Sequence, residues 1–275
     1  MEKYRNQLII FSKNRACQLR LLLDSLRANS PTLFDRISIL FKADDEFYSK
    51  GYEQLKQYYP ALKYVQETNF RNNLIGLIDD EIEATTFMVD DAVVFRPIMA
   101  RKIDIIRPVV KEYAIFSLRL GMNCNYSHPA DLHYTLGEHE VNGEYLKFDY
   151  TKQMPGDFRY PLSTDGHIFN TTLIKDMLIN TEFNNPNSLE ANLQKFVVMN
   201  SIPKTVISFT ESKLVSIPAN LVNNSFKNRH GLLYFYSEKE LNDKYLTGET
   251  IDLTAMSFED INGPHKEIKY EFKTN

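Results

Sequence analysis

Two adjacent carboxylates interrupt an apolar run in Phe87-Met88-Val89-Asp90-Asp91-Ala92-Val93-Val94-Phe95. An ionised carboxylate taken out of water is strongly destabilised unless a cation or hydrogen-bond donors compensate it. A chain that buries this run as a strand over 87–95 must bring a counter-charge to Asp90 and Asp91, most simply a divalent metal. The run also has a direction. Its apolar part leads into the acids, which places them at the carboxyl edge of the strand, and in open α/β sheets ligands bind at that edge. An ordinary strand end with Asp90 capping a turn explains the same residues, so the rest of the chain must discriminate.

The surrounding pattern alternates strand and helix. Gln7-Leu8-Ile9-Ile10-Phe11 is a short apolar strand, and the polar turn Ser12-Lys13-Asn14-Arg15 leads into a helix with Leu19, Leu22, Leu23 and Leu26 at helical spacing. A second strand over 36–41 ends at Lys42-Ala43-Asp44-Asp45 and is followed by a helix over 48–58. A third strand over 62–65 and a helix over 72–83 precede the acidic strand. This order predicts an α/β fold with a mostly parallel sheet flanked by helices. A further strand is expected over 113–120, after which Asn-, His-, Tyr- and Gly-rich sequence breaks the rhythm through residue 157. The period-two stretch over 143–150 predicts a hairpin elaboration. Helices over 171–180 and 188–199 and strands over 206–209 and 213–217 follow. Residues 219–275 mix short pieces without a self-contained core.

Composition bounds the function. With 275 residues, 43% of them hydrophobic, the chain can fill a sizeable core as one large or two small domains. A net charge of -4 provides no broad basic field, which argues against a nucleic-acid partner. No stretch approaches the roughly 18 apolar residues of a spanning helix, and the first residues lead into a strand without a signal-peptide core, so a cytoplasmic chain is expected. Cys17 and Cys124 are isolated and read as buried thiols. The six histidines form no pair at metal-binding helical spacing, which argues against a zinc enzyme.

The βα first half followed by Asp90-Asp91 resembles the GT-A-type nucleotide-sugar glycosyltransferases, family 2-like and of bacterial or viral type. The resemblance covers roughly 1–230. It implies one GT-A-like, Rossmann-type catalytic domain over 1–230, with a nucleotide-binding half (1–112), an acceptor half (113–230), and a C-terminal extension over 231–275 packed on it. The family's acidic signature is DxD, whereas Ala92 stands at its third position here. The resemblance implies Mn²⁺ or Mg²⁺ between Asp91 and the donor diphosphate, with Asp90 beside it, and carboxylate and phosphate oxygens suit both ions. It further implies that Ser12, Asn14 and Arg15 form the first nucleotide-binding loop, that Asp44 and Asp45 receive the base or ribose, and that Arg71 contacts the nucleotide. Strand-end turns and a helix start explain several of these residues without a ligand.

Arg159-Tyr160-Pro161-Leu162-Ser163-Thr164-Asp165-Gly166-His167-Ile168-Phe169 is a polar knot before a helix. Gly166 permits close approach by a sugar, and Asp165 and His167 offer hydrogen bonds to hydroxyls. Glu190, near the start of the helix over 188–199, stands at a position that resembles that of the base in inverting family members, and the resemblance implies Asp165 as a further catalytic acid. A helix dipole also favours an acid there. In the cluster over 220–231, the resemblance implies His230 as the late histidine brought to the metal, His265 being a weaker alternative, and Arg229 or Lys227 as neutralising the departing diphosphate; a surface loop with Gly231 ending a helix explains the same residues.

The implied activity is transfer of a sugar from a nucleoside diphosphate sugar, UDP-sugar favoured, to a glycan or lipid-linked acceptor, as in polysaccharide biosynthesis. With no spanning segment, peripheral association with a membrane stays open. A sugar-nucleotide pyrophosphorylase is the runner-up enzyme, but its Gly-rich loop after the first strand is absent. A non-catalytic nucleotide- or sugar-binding module is the alternative from another class.

Overall fold

A computed structural model describes residues 5–99, 106, 109–110, 112, 114–200, 204–222 and 229–274. Its first half alternates β1 (Asn6–Lys13), α1 (Ala16–Asn29), β2 (Arg36–Lys42), α2 (Glu46–Tyr58), β3 (Lys63–Gln66), α3 (Phe70–Leu77) and β4 (Ala84–Val89). Asp45 and Asn69 cap α2 and α3, accepting the amides of Tyr48 at 3.1 Å and Asn72 at 2.9 Å. Then come β5 (Ala92–Val94), β6 (Ile115–Ser117), β7 (Tyr126–Ser127), β8 (Leu132–His133), β9 (His139–Asn142), β10 (Tyr145–Asp149) and β11 (His167–Asn170). The chain continues as α4 (Thr171–Ile179), α5 (Pro186–Asn200), β12 (Thr205–Phe209), β13 (Leu214–Ser216), α6 (Glu238–Leu246), β14 (Glu249–Ile251) and β15 (Phe272–Thr274).

The main sheet has the order β3-β2-β1-β4-β11-β6-β12-β10-β9. β11 and β10 run against the other strands, so the expected mostly parallel α/β sheet is present, with β11 inserted antiparallel between β4 and β6. Strand alternation divides the core between the two faces. Leu8 and Ile10 of β1 join one apolar cluster with the leucines of α1, while Ile9 and Phe11 join a second with Phe70 and Phe87.

The run over 87–95 is not one strand. β4 ends at Val89, and β5 leaves the main sheet to pair antiparallel with β13. The Asp90 amide donates to the Phe11 carbonyl at 3.1 Å, its carboxylate accepts from the Lys13 amide at 3.1 Å, and the Asp91 carbonyl accepts from Ile217 at 2.9 Å. These bonds turn the chain out of the ladder at the two acids. The helix expected over 72–83 stops at Leu77, because Gln7 clasps Asp79 through two 3.1 Å bonds and holds the following segment extended. The strand expected over 113–120 shortens to β6, and Tyr113 lies outside the described residues. β9 and β10 form the expected hairpin, with Gly143 at φ +59° in its turn.

The late segment shares the core of the first half. Leu241, Tyr245, Ile251, Ile268 and Tyr270 belong to the cluster that holds α1, and Asn242 and Gln54 tie α6 to α2. Around Ser216 the chain returns as a parallel bridge at His265, with Ser216 donating to Pro264 at 2.8 Å and Lys266 to Ser216 at 3.1 Å. Among the described residues, no helix is long and apolar enough to cross a membrane.

Candidate active site

A cleft of about 920 Å³ opens along the carboxyl edge of β1, β2 and β4. Leu40, Lys42, Glu67 and Phe70 line one end, the acidic turn its middle, and Arg119, Asp165, Glu190 and His265 the other. Of the residues expected from sequence, Ser12, Arg15, Asp90, Asp91, Asp165, Glu190, Arg229 and His230 line it, while Asn14, Asp44, Asp45, Arg71, Gly166 and His167 do not.

Arg15 closes the β1–α1 connection, directly before α1, and supplies a counter-charge to the acidic run. Its guanidinium lies 3.1 Å from Asp90 and 3.8 Å from Asp91, and it donates to the Asn220 carbonyl. At 8% exposure it locks the acidic turn to the loop at 220 more than it offers itself to a phosphate. Ser12 is engaged with the Tyr52 hydroxyl at 2.7 Å. Burial pushes the Asp90 carboxyl above the usual range despite Arg15. Asp91 is pushed up to about 7 by burial and by the charges of Asp165 and Asp90, against the pull of Arg15 and Arg119. A desolvated carboxylate crowded by other acids is where an added cation gains most.

Across the cleft, Glu190 accepts from the Thr164 amide at 3.1 Å and hydroxyl at 2.9 Å. It stands fifth in α5, beyond the first turn, so the helix-dipole explanation for this acid loses its ground. Burial and the neighbouring Asp165 push its carboxyl up to about 7. Asp165 accepts from Ser216 at 3.2 Å and lies 3.5 Å from Arg119 and 3.8 Å from His265. Its Oδ1 is buried without a hydrogen-bond partner among the described residues.

The other expected ligands have structural work. Asn14, at φ +58°, exchanges two hydrogen bonds with Asp44 and donates to the Lys42 carbonyl, tying the loops after β1 and β2 together. Asp45 is the cap of α2. Arg71 donates to the carbonyls of Leu178, Ile179 and Thr181 around the end of α4. His167 lies buried in β11, bonded to the Pro161 carbonyl at 2.7 Å, and burial and Arg119 push its pKa down to about 3. It is a neutral core histidine. Gly166, at φ +71°, lets the chain pass Leu214, whose methyl would meet a Cβ at 3.1 Å, so its freedom serves packing where close approach by a sugar was expected.

Arg229 lines the cleft while clasping Asp131 at 2.7 Å and Tyr126 at 3.0 Å, and His230 lines it beside Arg229. Lys227 lies outside the described residues. Among the described residues, no three His, Cys, Asp or Glu side chains gather into a metal site.

Sequence reading missed Arg119 and Asn220. Arg119 is only 4% exposed and touches Ser163, Asp165 and His265. Its signal was present, a lone cation inside the apolar stretch Phe116-Ser117-Leu118-Arg119-Leu120. Asn220 acts through its main-chain carbonyl, which no side-chain pattern announces.

No family model matches the chain. It is 23% identical over 303 aligned residues to the bifunctional glycosyltransferase pgtA of Dictyostelium discoideum, across 91% of this chain and 38% of that protein. Among solved structures, S. aureus TarS aligns with a TM-score of 0.50 and 15% identity, across 77% of this chain and 36% of that one. The chain thus spans well under half the length of either. The likeness to glycosyltransferases expected from the βα first half and Asp90-Asp91 is met in sequence by the first, and the GT-A-like α/β fold by the second.

Proposed function

We propose that this chain transfers a sugar from a nucleoside diphosphate sugar, with a UDP-sugar favoured, to a hydroxyl of a glycan or lipid-linked acceptor. The observation that carries the reading is the pairing, in one cleft, of a cation-seeking Asp91 with the carboxyl pair Asp165 and Glu190 held on the Thr164 loop. Base and ribose would lie toward Leu40 and Phe70, and the acceptor beside Glu190.

The residues fit a hard divalent ion in one respect: Asp91 is a desolvated oxygen donor, and Mg²⁺-type sites commonly take one or two carboxylates plus the substrate's phosphates. Asp91, with His230 as the second protein donor, would hold Mn²⁺ or Mg²⁺, which would neutralise charge on the departing diphosphate. Glu190 would take the acceptor hydroxyl proton as that oxygen attacks the anomeric carbon opposite the leaving group, which inverts the configuration. Its pKa near 7 suits a base working at neutral pH. Thr164 keeps one carboxylate oxygen fixed while the proton is taken. Asp165 is the second candidate base, on the strength of its unpartnered Oδ1. Because His265 faces the same cleft, the working unit takes in the segment after 230.

A panel of nucleotide sugars with Mn²⁺ and a hydroxyl acceptor, followed by NMR of the product, tests this. An inverted product lost in Glu190→Gln supports the reading. A product lost only in Asp165→Asn moves the base to Asp165. Donor binding without turnover, under conditions where pgtA turns over, replaces the enzyme with a binding module.

A further inference from the structure

Two buried arginines serve the cleft. Arg15 is spent on the acidic turn, which leaves Arg119 as the cation facing the acids on the other side. Its guanidinium meets the Ser163 hydroxyl and lies 3.3 Å and 3.4 Å from the two ring nitrogens of His265. Burial and the Arg119 charge keep His265 well below its usual pKa, so the imidazole contributes no positive charge of its own. Asp165 and Glu190 are close neighbours, since the Glu190 carboxylate hangs from residue 164. Tyr160 and Thr164 also face Glu190, and Asp157 adds another acid near Arg119. The Asp165 charge opposes ionisation of Glu190, and a cation nearby offsets it.

We propose that Arg119 is the positioning residue of the acceptor half: it fixes the Asp165 carboxylate against Ser216 and His265 and sets a positive charge within reach of Glu190. The proposal rests on the reading of Glu190 as base, yet has a direct readout that does not. Arg119 is only 4% exposed, and its guanidinium contacts are to Ser163, Asp165 and His265. It acts through the two acids, and its fork of donors is what lets it hold the Ser163 hydroxyl and Asp165 at once.

The test compares Arg119→Met, Arg119→Lys and wild type in the pH dependence of kcat/KM and in ¹³C NMR titration of the Glu190 carboxyl. In Arg119→Met the acidic limb and the Glu190 midpoint should both move up by about one pH unit, the lower end of the effect of a nearby opposite charge. Arg119→Lys should restore the midpoint while kcat stays at least tenfold down and KM for the donor is unchanged. An unmoved Glu190 midpoint in folded Arg119→Met overturns the proposal. If that variant does not fold, a wild-type kcat in Arg119→Lys overturns it instead. A moved midpoint together with full activity in Glu190→Gln would keep Arg119 as the charge partner and reject only the base assignment.

Discussion

The Glu190 carboxylate is suspended from Thr164, whose amide and hydroxyl both donate to the same oxygen at 3.1 and 2.9 Å. A helix residue is thereby pinned to the loop that carries Asp165, and the two acids reach the cleft as one unit.

Glu190→Gln should preserve that suspension, since an amide oxygen accepts the same two bonds, while removing the capacity to take a proton. Donor affinity by calorimetry is expected to stay within about twofold, and transfer to drop by ~10²–10⁴, the usual worth of general-base assistance. A transfer rate near wild type would exclude Glu190 from the chemistry.

Asp91→Asn should relieve a buried charge. The folded-state pKa is raised from 3.8 to about 7, so between about pH 4 and 7 the native state holds a proton that the unfolded chain has released. Wild-type stability therefore falls as pH rises through that window, and the variant should gain on it by up to about 1.4 kcal/mol per pH unit. Paired urea melts at pH 5 and pH 7 read this difference. UDP with Mn²⁺ should raise the melting temperature of wild type and leave that of the variant unchanged.

His167→Ala is expected to damage the fold and spare donor selectivity, reversing the sugar-binding role inferred from sequence. Loss of a buried ring should destabilise by about 2–4 kcal/mol. The folded pKa near 3 lies below the ordinary 6.5, so wild type itself loses stability as pH falls below 6.5, where only the unfolded chain takes up the proton. The deficit of the variant should accordingly shrink by about 1.4 kcal/mol per pH unit on acidification. Chemical denaturation at pH 7 and pH 5.5 decides this.

Arg71→Met should leave UDP affinity unchanged, because the guanidinium is committed to carbonyls at the end of α4. Stranding the part-buried Thr181 and Leu178 carbonyls should cost about 1–3 kcal/mol in a thermal or urea melt. A tenfold loss of UDP affinity in a stable variant would return Arg71 to the nucleotide site.

The βα order, the two-faced burial of β1 and the placement of Asp90 and Asp91 at a strand's carboxyl edge were readable because apolar periodicity is local. The roles of Arg71 and Asn14 were not. A polar side chain near a strand end can be satisfied by a backbone carbonyl over a hundred positions away, as Arg71 is by Thr181. His167 looked like a ligand because its neighbours are polar, yet strand pairing with Ser117 turns it into the core. Arg119 shows the converse: a charge within an apolar stretch carries the same warning as Asp90, and its partners come from residues 163, 165 and 265.

The antiparallel insertion of β11 bears on how this protein can be cut and recombined. Thr86, Thr85 and Ala84 of β4 pair with Ile168, Phe169 and Asn170. A fragment stopping at residue 112 would therefore present that side of β4 as a bare edge of unpaired backbone groups, a template for strand addition by other molecules. The first half is no transplantable cassette. A chimaera that borrows its nucleotide pocket has to carry the graft through Asn170, or inherit an aggregation-prone seam in the middle of its sheet.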